Sequence, residues 1–223
     1  MSDFICKIDA MVAERNLLLH PFYQAWTRGE LSLETLRDYA KQYFQHVAAF
    51  PTYLSALHAH TEDAATRRHV LANLVDEEAG HPNHPELWLQ FAETLGVSAA
   101  DVANTVAWPE TERLVASFRN ICGTRGTAEG LAALYAYESQ IPAVAESKIA
   151  GLEKFYGIRE ERGLAYFAVH IEADREHAAI ERKLLEQYVN DATAPVVTEA
   201  VRETLDALWE MLSGVCRRHA IAY

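Results

Sequence analysis

An all-α protein is predicted from three features of the 223-residue sequence. Apolar residues recur at three- and four-residue intervals along nearly every long segment, runs of strict alternation are scarce, and half of the residues are hydrophobic, enough to bury a sizeable core. The spacing predicts a first helix over about 2–15, with Phe4, Ile8, Met11 and Val12 on one side. His20 and Pro21 then turn the chain into a short helix bearing Phe22, Tyr23 and Trp26, stopped near Gly29. Ser32 caps the next helix, with Glu34 in its positive first turn and a face of Leu36, Tyr39, Tyr43, His46, Val47 and Phe50, until Pro51 breaks or bends it. Further helices are expected over about 51–61, 63–80 and 85–95, the last closed by Gly96, with a cap at Ser98. After Pro109 a helix runs to about Cys122, and Gly123 to Gly126 form the clearest loop, too short for a domain linker. Long helical patterns follow over about 127–156, with Pro142 inside, and 160–189, before a last one over about 195–213. Residues 1–223 are therefore expected to form one domain, without repeats or low-complexity tracts.

Lys and Arg number 20 against 32 Asp and Glu, a formal charge of −12, so a phosphate backbone or an anionic membrane surface would be repelled. Nucleic acid is excluded as a first expectation. No run approaches about 18 uninterrupted apolar residues, and the first residues carry no basic region followed by a hydrophobic segment, so a cytoplasmic protein is expected. Cys6, Cys122 and Cys216 are scattered and odd in number, which fits buried thiols and not a disulfide framework or a zinc knuckle.

The chemistry lies where polar residues interrupt apolar stripes. Positions spaced by four and then three residues stay on one line of an α-helix. Phe167, His170, Asp174, His177, Leu184 and Tyr188 make such a stripe, apolar at both ends with two imidazoles and a carboxylate between. A carboxylate facing a core costs several kcal/mol unless it is paired or bound to a cation. The same substitution appears along Val70, Leu74, Glu77, His81, His84 and Trp88, where Glu77 and His84 lie two turns apart. Gly80, Pro82 and Pro85 distort any helix there, which leaves Glu78 and His81 as competing ligands. On a third helix Leu131, Leu134 and Tyr135 lead to Glu138, then Ile141 and Ala145; Pro142 cannot donate an N–H to the Glu138 carbonyl, so a bend is expected beside it. Three helices thus offer Glu77, His84, Glu138, His170, Asp174 and His177. Three carboxylates with three imidazoles suit two ions, and hard oxygen mixed with imidazole favours iron or manganese over a structural zinc. Tyr23, Tyr39, Tyr43 and Tyr137 read as core packing on their own, and Lys148 as a solvated lysine about 15 Å along a straight helix from Glu138.

The stretches HPFYQAWTRGELSLETLRDYAKQYFQHVAAFPTYLSALH, DEEAGHPNHPELW, AALYAYESQIP and VHIEADREHA closely resemble those of CADD-like proteins and, more distantly, the pyrroloquinoline quinone synthesis proteins PqqC. The resemblance covers nearly the whole chain except its C-terminal end. It implies the haem-oxygenase-like fold, a bundle of about seven to eight helices, and membership of the haem-oxygenase-like dimetal oxidases. Motif positions for metal ligands in that family match Glu77, His84, Glu138, His170, Asp174 and His177. The implied activity is synthesis of para-aminobenzoate, a folate precursor, in a single turnover from the protein's own tyrosine, with Fe/Fe or Fe/Mn as the ions and O2 and a reductant as co-substrates. Tyr23 resembles the consumed residue, Tyr39 an assisting phenol and Lys148, in AESKIAGL, the nitrogen donor. The other readings are a PqqC-like oxidase of a diffusible small molecule and, from the association implied in the CADD name, a death-domain-type interaction module. A homodimer stands as a possible partner arrangement.

Overall fold

The computed structural model describes residues 2–222, and its regular structure is helical throughout those residues. In chain order the helices are α1 (Ser2–Glu14), a 3-10 turn (Leu17–Leu19), α2 (Pro21–Arg28), α3 (Leu33–His60), α4 (Ala64–Glu78), α5 (His84–Thr94), α6 (Ala99–Ala103), α7 (Pro109–Thr124), α8 (Thr127–Glu138), α9 (Ile141–Phe155), α10 (Glu161–Tyr188) and α11 (Ala194–Arg218). Local chemistry sets most of the starts. Ser32, Asp63 and Ser98 each accept a backbone N–H of the first turn, and Asn83 forms a capping box with Glu86. Gly29 ends α2 in the left-handed conformation, at φ 69°.

The two prolines inside helical patterns interrupt them to different degrees. Helix α3 runs unbroken through Pro51. A mid-helix proline costs about 3 kcal/mol, but continuing the helix buries Tyr53, Leu54 and Leu57 completely. At about 1.5–3 kcal/mol per large apolar side chain, that burial outweighs the missing bond. Around Pro142 the single helix expected over 127–156 is two helices, because α8 stops at Glu138 and α9 restarts at Ile141 with Pro142 in its first turn. The Gln140 side chain closes the gap: its amide donates to the Ala136 carbonyl at 2.6 Å, and its oxygen accepts the Leu17 N–H at 2.8 Å.

Helix α8 lies at the centre, between α7, α10 and α11, and its residues from Gly130 to Glu138 are all buried. An alanine-rich helix, apolar on every side, is what such a position requires. Gly130 permits the closest approach, since a Cβ there would lie 2.6 Å from Leu57 of α3. Helix α10 packs on α5, α8 and α9, and α3 packs on α4, α5 and α7, so the inward faces of α3, α4, α5, α8 and α10 meet in one core. No helix among the described residues is long and apolar enough to cross a membrane.

Candidate metal centre and adjoining phenols

The six residues singled out on the helical stripes come together, as two groups of three. One ligand atom each from Glu77, His84 and His170 lies within 4.8 Å of the others, and so does one each from Glu138, Asp174 and His177. All six are buried, none more than 8% exposed. Glu77 and His84 do not share a helix as their spacing suggested: α4 ends one residue after Glu77 and α5 begins at His84. The loop between them turns the chain back, so that His84 Nδ1 stands 3.0 Å from Glu77 Oε1. The competing residues are on the outside, with Glu78 exposed and the His81 side chain 87% exposed.

The neighbouring atoms orient these side chains. His170 Nδ1 donates to the Tyr166 carbonyl at 2.5 Å, which turns Nε2 toward Glu77 at 3.8 Å. His177 Nε2 meets Asp76 at 3.1 Å, leaving Nδ1 to face Asp174 at 3.8 Å. Asn73 donates to Glu138 Oε1 at 2.9 Å. Such outer partners fix the tautomer and direction of a ligand. The charges respond to one another. Burial alone would push Glu77 up, but the imidazoles of His170 and His84 beside it hold it down at about 2. Burial works against protonated His170 and His177, yet Glu77 raises the first and Asp174 the second, each to about 9. Glu138 is pushed up by burial and by the Asp174 charge.

The donor set fits two cations. Glu138 Oε2, Asp174 Oδ2 and His177 Nδ1 are buried atoms without a hydrogen-bond partner. Anionic oxygens left so in a buried core cost several kcal/mol, and a divalent ion would satisfy them together. Mixed carboxylate and imidazole donors projecting into a helical core suit iron or manganese.

Beside the centre lies a cluster of phenols around one amine. Lys148 is 3% exposed, contrary to the solvated position read from its local sequence. The break after Glu138 reorients α9, which packs against α2 at Gly151, where a Cβ would collide with the Trp26 indole. Trp26 in turn donates to the Lys148 carbonyl at 3.3 Å. The amine donates to the Tyr39 hydroxyl at 2.8 Å, and Tyr39 meets the Tyr23 hydroxyl at 3.3 Å. Desolvation lowers Lys148 from 10.5 to about 7 and raises the phenols of Tyr23 and Tyr39. Tyr43 and Tyr137, bonded to each other at 2.8 Å, stand between this cluster and the acids. Tyr43, Tyr137, Tyr166, Lys148 and His170 line one small cavity, and Glu77, Glu138, His170 and Asp174 with Tyr137 and Tyr166 line another.

The sequence and the fold are similar to those of known proteins. The sequence model of a family described as iron-containing redox enzymes matches residues 37–209. The chain belongs to that family. Among curated relatives, a 4-aminobenzoate synthase of Chlamydia pneumoniae is 46% identical over 214 residues, covering 96% of this chain and 95% of the relative. Another, from Nitrosomonas europaea, is 45% identical over 219 residues, or 94% and 89% of the two chains. A pyrroloquinoline-quinone synthase of Klebsiella pneumoniae is more distant, 23% identical over 210 residues, 91% of this chain and 82% of the relative. The fold is haem-oxygenase-like: a protein with that fold from Shewanella denitrificans superposes with TM-score 0.81 at 16% identity, covering 98% of this chain and 93% of the other. A CADD-like protein of unknown function from Nostoc punctiforme does so with TM-score 0.81 at 17% identity, over 99% and 98%.

Residues missed on the sequence stripes are Asn73, Asp76 and Glu181. Asn73 precedes Glu77 by four residues on the inner face of α4. Glu181 continues the spacing 170, 174, 177 by four more, and it is fully buried.

Proposed function

We propose that the protein is an oxygen-dependent dimetal oxidase that makes 4-aminobenzoate once per chain, taking the ring from Tyr23 and the nitrogen from Lys148. Glu77, His84 and His170 would hold one ion and Glu138, Asp174 and His177 the other, iron at both positions or iron with manganese. Bound there, the ions would supply the reduction of O2, with electrons from an external reductant, and hence the oxidising equivalents. The remaining work falls to the chain itself. A phenol that loses an electron must also lose its proton, and the Tyr23–Tyr39–Lys148 series offers a route: hydroxyl to hydroxyl at 3.3 Å and hydroxyl to amine at 2.8 Å. With its pKa near 7, Lys148 is substantially neutral at physiological pH, able to accept that proton or to attack as a nucleophile. Tyr39 holds Lys148 and Tyr23 together, and the aromatic walls keep water out.

The observation that carries this reading is the buried Tyr23–Tyr39–Lys148 series beside the acids: the two cavities that adjoin it are small, and the wider groove of about 410 Å³ that reaches Asp174 is lined by Ser139, Ala143, Glu146 and Arg175 and by none of Tyr23, Tyr39 or Lys148. Each of the two cavities beside the acids and phenols has a volume of about 10 Å³, space for about one water. A cavity that takes up a free benzene ring is on the order of 150 Å³. The nearest aromatic rings are the protein's own. The supporting similarity to relatives named 4-aminobenzoate synthase spans nearly the full chain.

The test is to load the protein anaerobically with iron, admit O2 and reductant without any added aromatic compound, and follow product alongside intact and peptide masses. The expected result is at most one 4-aminobenzoate per chain, with mass changes in the peptides of Tyr23 and Lys148. Tyr23→Phe should yield none while taking up metal normally. Product release with both peptides unchanged, or many products per chain, would refute self-consumption.

A further inference from the structure

A fourth buried acid stands against the second group of ligands. Glu181 is 0% exposed, and its carboxylate oxygens have no partner other than the Glu138 carboxyl that they face. Among the described residues it forms no ion pair with Lys, Arg or His. Its electrostatic neighbours are Glu138 and Asp174, the two acids of that group, and Cys122 of α7. It follows His177 by four residues on α10, one turn or about 6 Å along the axis. Side chains on a helix lean toward its N-terminus, so the carboxylate of Glu181 reaches back toward His177 and Asp174.

We propose that Glu181 is a further metal-binding side chain, which supplies a carboxylate to the ion held by Glu138, Asp174 and His177. The inference rests on the dimetal reading above. It also follows from charge. Imidazoles bind metal as neutral donors, so Glu77, Glu138 and Asp174 carry three negative charges against the four positive charges of two divalent ions. With Glu181 the buried charges cancel, whereas without it one positive charge remains in a buried, low-dielectric core. The two groups are also unequal. The first has one acid and two imidazoles, the second two acids and one imidazole, and Glu181 makes the second an oxygen-rich site of the kind manganese and ferrous iron favour.

The measurement is an anaerobic Fe(II) titration against a competing chelator, on the wild-type chain and on Glu181→Gln. Glutamine keeps the size of the side chain and a hydrogen-bond donor to Glu138, so it preserves any positioning role and removes only the anionic ligand. Wild type should take up two ions. In E181Q the first should bind as before and the second should weaken by at least about tenfold, the scale on which changes around a metal act. Glu181→Asp, which retains the charge on a shorter stem, should fall between the two. The metal-free E181Q chain should melt at or above the wild-type temperature, since it lacks a buried unpaired acid. An unchanged second affinity in E181Q would overturn the proposal while leaving the dimetal reading intact. A wild-type chain binding fewer than two ions would overturn the dimetal reading, and this inference with it.

Discussion

Replacing Lys148 with methionine should stabilise the metal-free protein, at the cost of the proposed nitrogen donor. Burial takes the amine from 10.5 to about 7, and each pH unit is worth about 1.4 kcal/mol. At neutral pH, where the buried amine is about half protonated, the penalty on folding is on the order of 4 kcal/mol. Methionine has nearly the same length and flexibility, so it refills the space without strain. Its loss is the hydrogen bond to Tyr39, about 1–2 kcal/mol. The balance is a gain of roughly 2–3 kcal/mol, or about 4–12 °C in melting temperature for a chain of this size. The pH dependence gives a sharper signature. Between about 7 and 10.5 the unfolded chain holds the lysine proton and the folded chain does not, so wild-type stability rises by up to about 1.4 kcal/mol per pH unit across that window. Below about pH 7 both states are protonated and the full penalty applies. The variant lacks this term, so its advantage should shrink as pH rises and reverse at roughly pH 9–10. Urea unfolding of both proteins from pH 6 to 10 measures the difference directly. A variant less stable than wild type at pH 7, or a difference independent of pH, would refute the burial of an unpaired amine.

Asp174→Asn should remove tight binding of one of two metal equivalents, read by elemental analysis. In the metal-free chain it should also bring His177 down from about 9 toward the ordinary imidazole value, because the Asp174 carboxylate faces that ring at 3.8 Å; an unmoved His177 resonance in an NMR titration would contradict the geometry. Gly151→Ala would push its methyl into the Trp26 indole, at a cost of about 1–3 kcal/mol for an overpacked contact. Denaturant unfolding measures that cost, and a neutral effect would show that α9 does not depend on this close approach to α2.

The residues read from the sequence differ in how far local pattern could take them. Glu138, His170, Asp174 and His177 were legible because each interrupts an otherwise apolar stripe within one helix, where spacing alone specifies the face. Glu181 obeys the same spacing and was overlooked between His177 and Leu184. Glu77 and His84 were ambiguous because Gly80, Pro82 and Pro85 stop the helical count between them; only the folded loop separates the inward Glu77 and His84 from the outward Glu78 and His81. Lys148 was marked by the family resemblance, but its burial was not legible in the local pattern. Glu146 and Ser147 precede it, and its burial depends on where α9 docks after the break at Ser139 and Gln140.

Hydrophobic periodicity and helix-terminal chemistry are properties of neighbouring residues, so the chain alone determined an all-helical core, most helix limits and the types of donor facing inward. Distances between helices depend on packing along segments far apart in sequence. Only the tertiary structure therefore decided that the six candidate metal-binding side chains divide into two groups, that α3 continues through Pro51 while α8 and α9 part at Pro142, and that one lysine lies buried against the phenols.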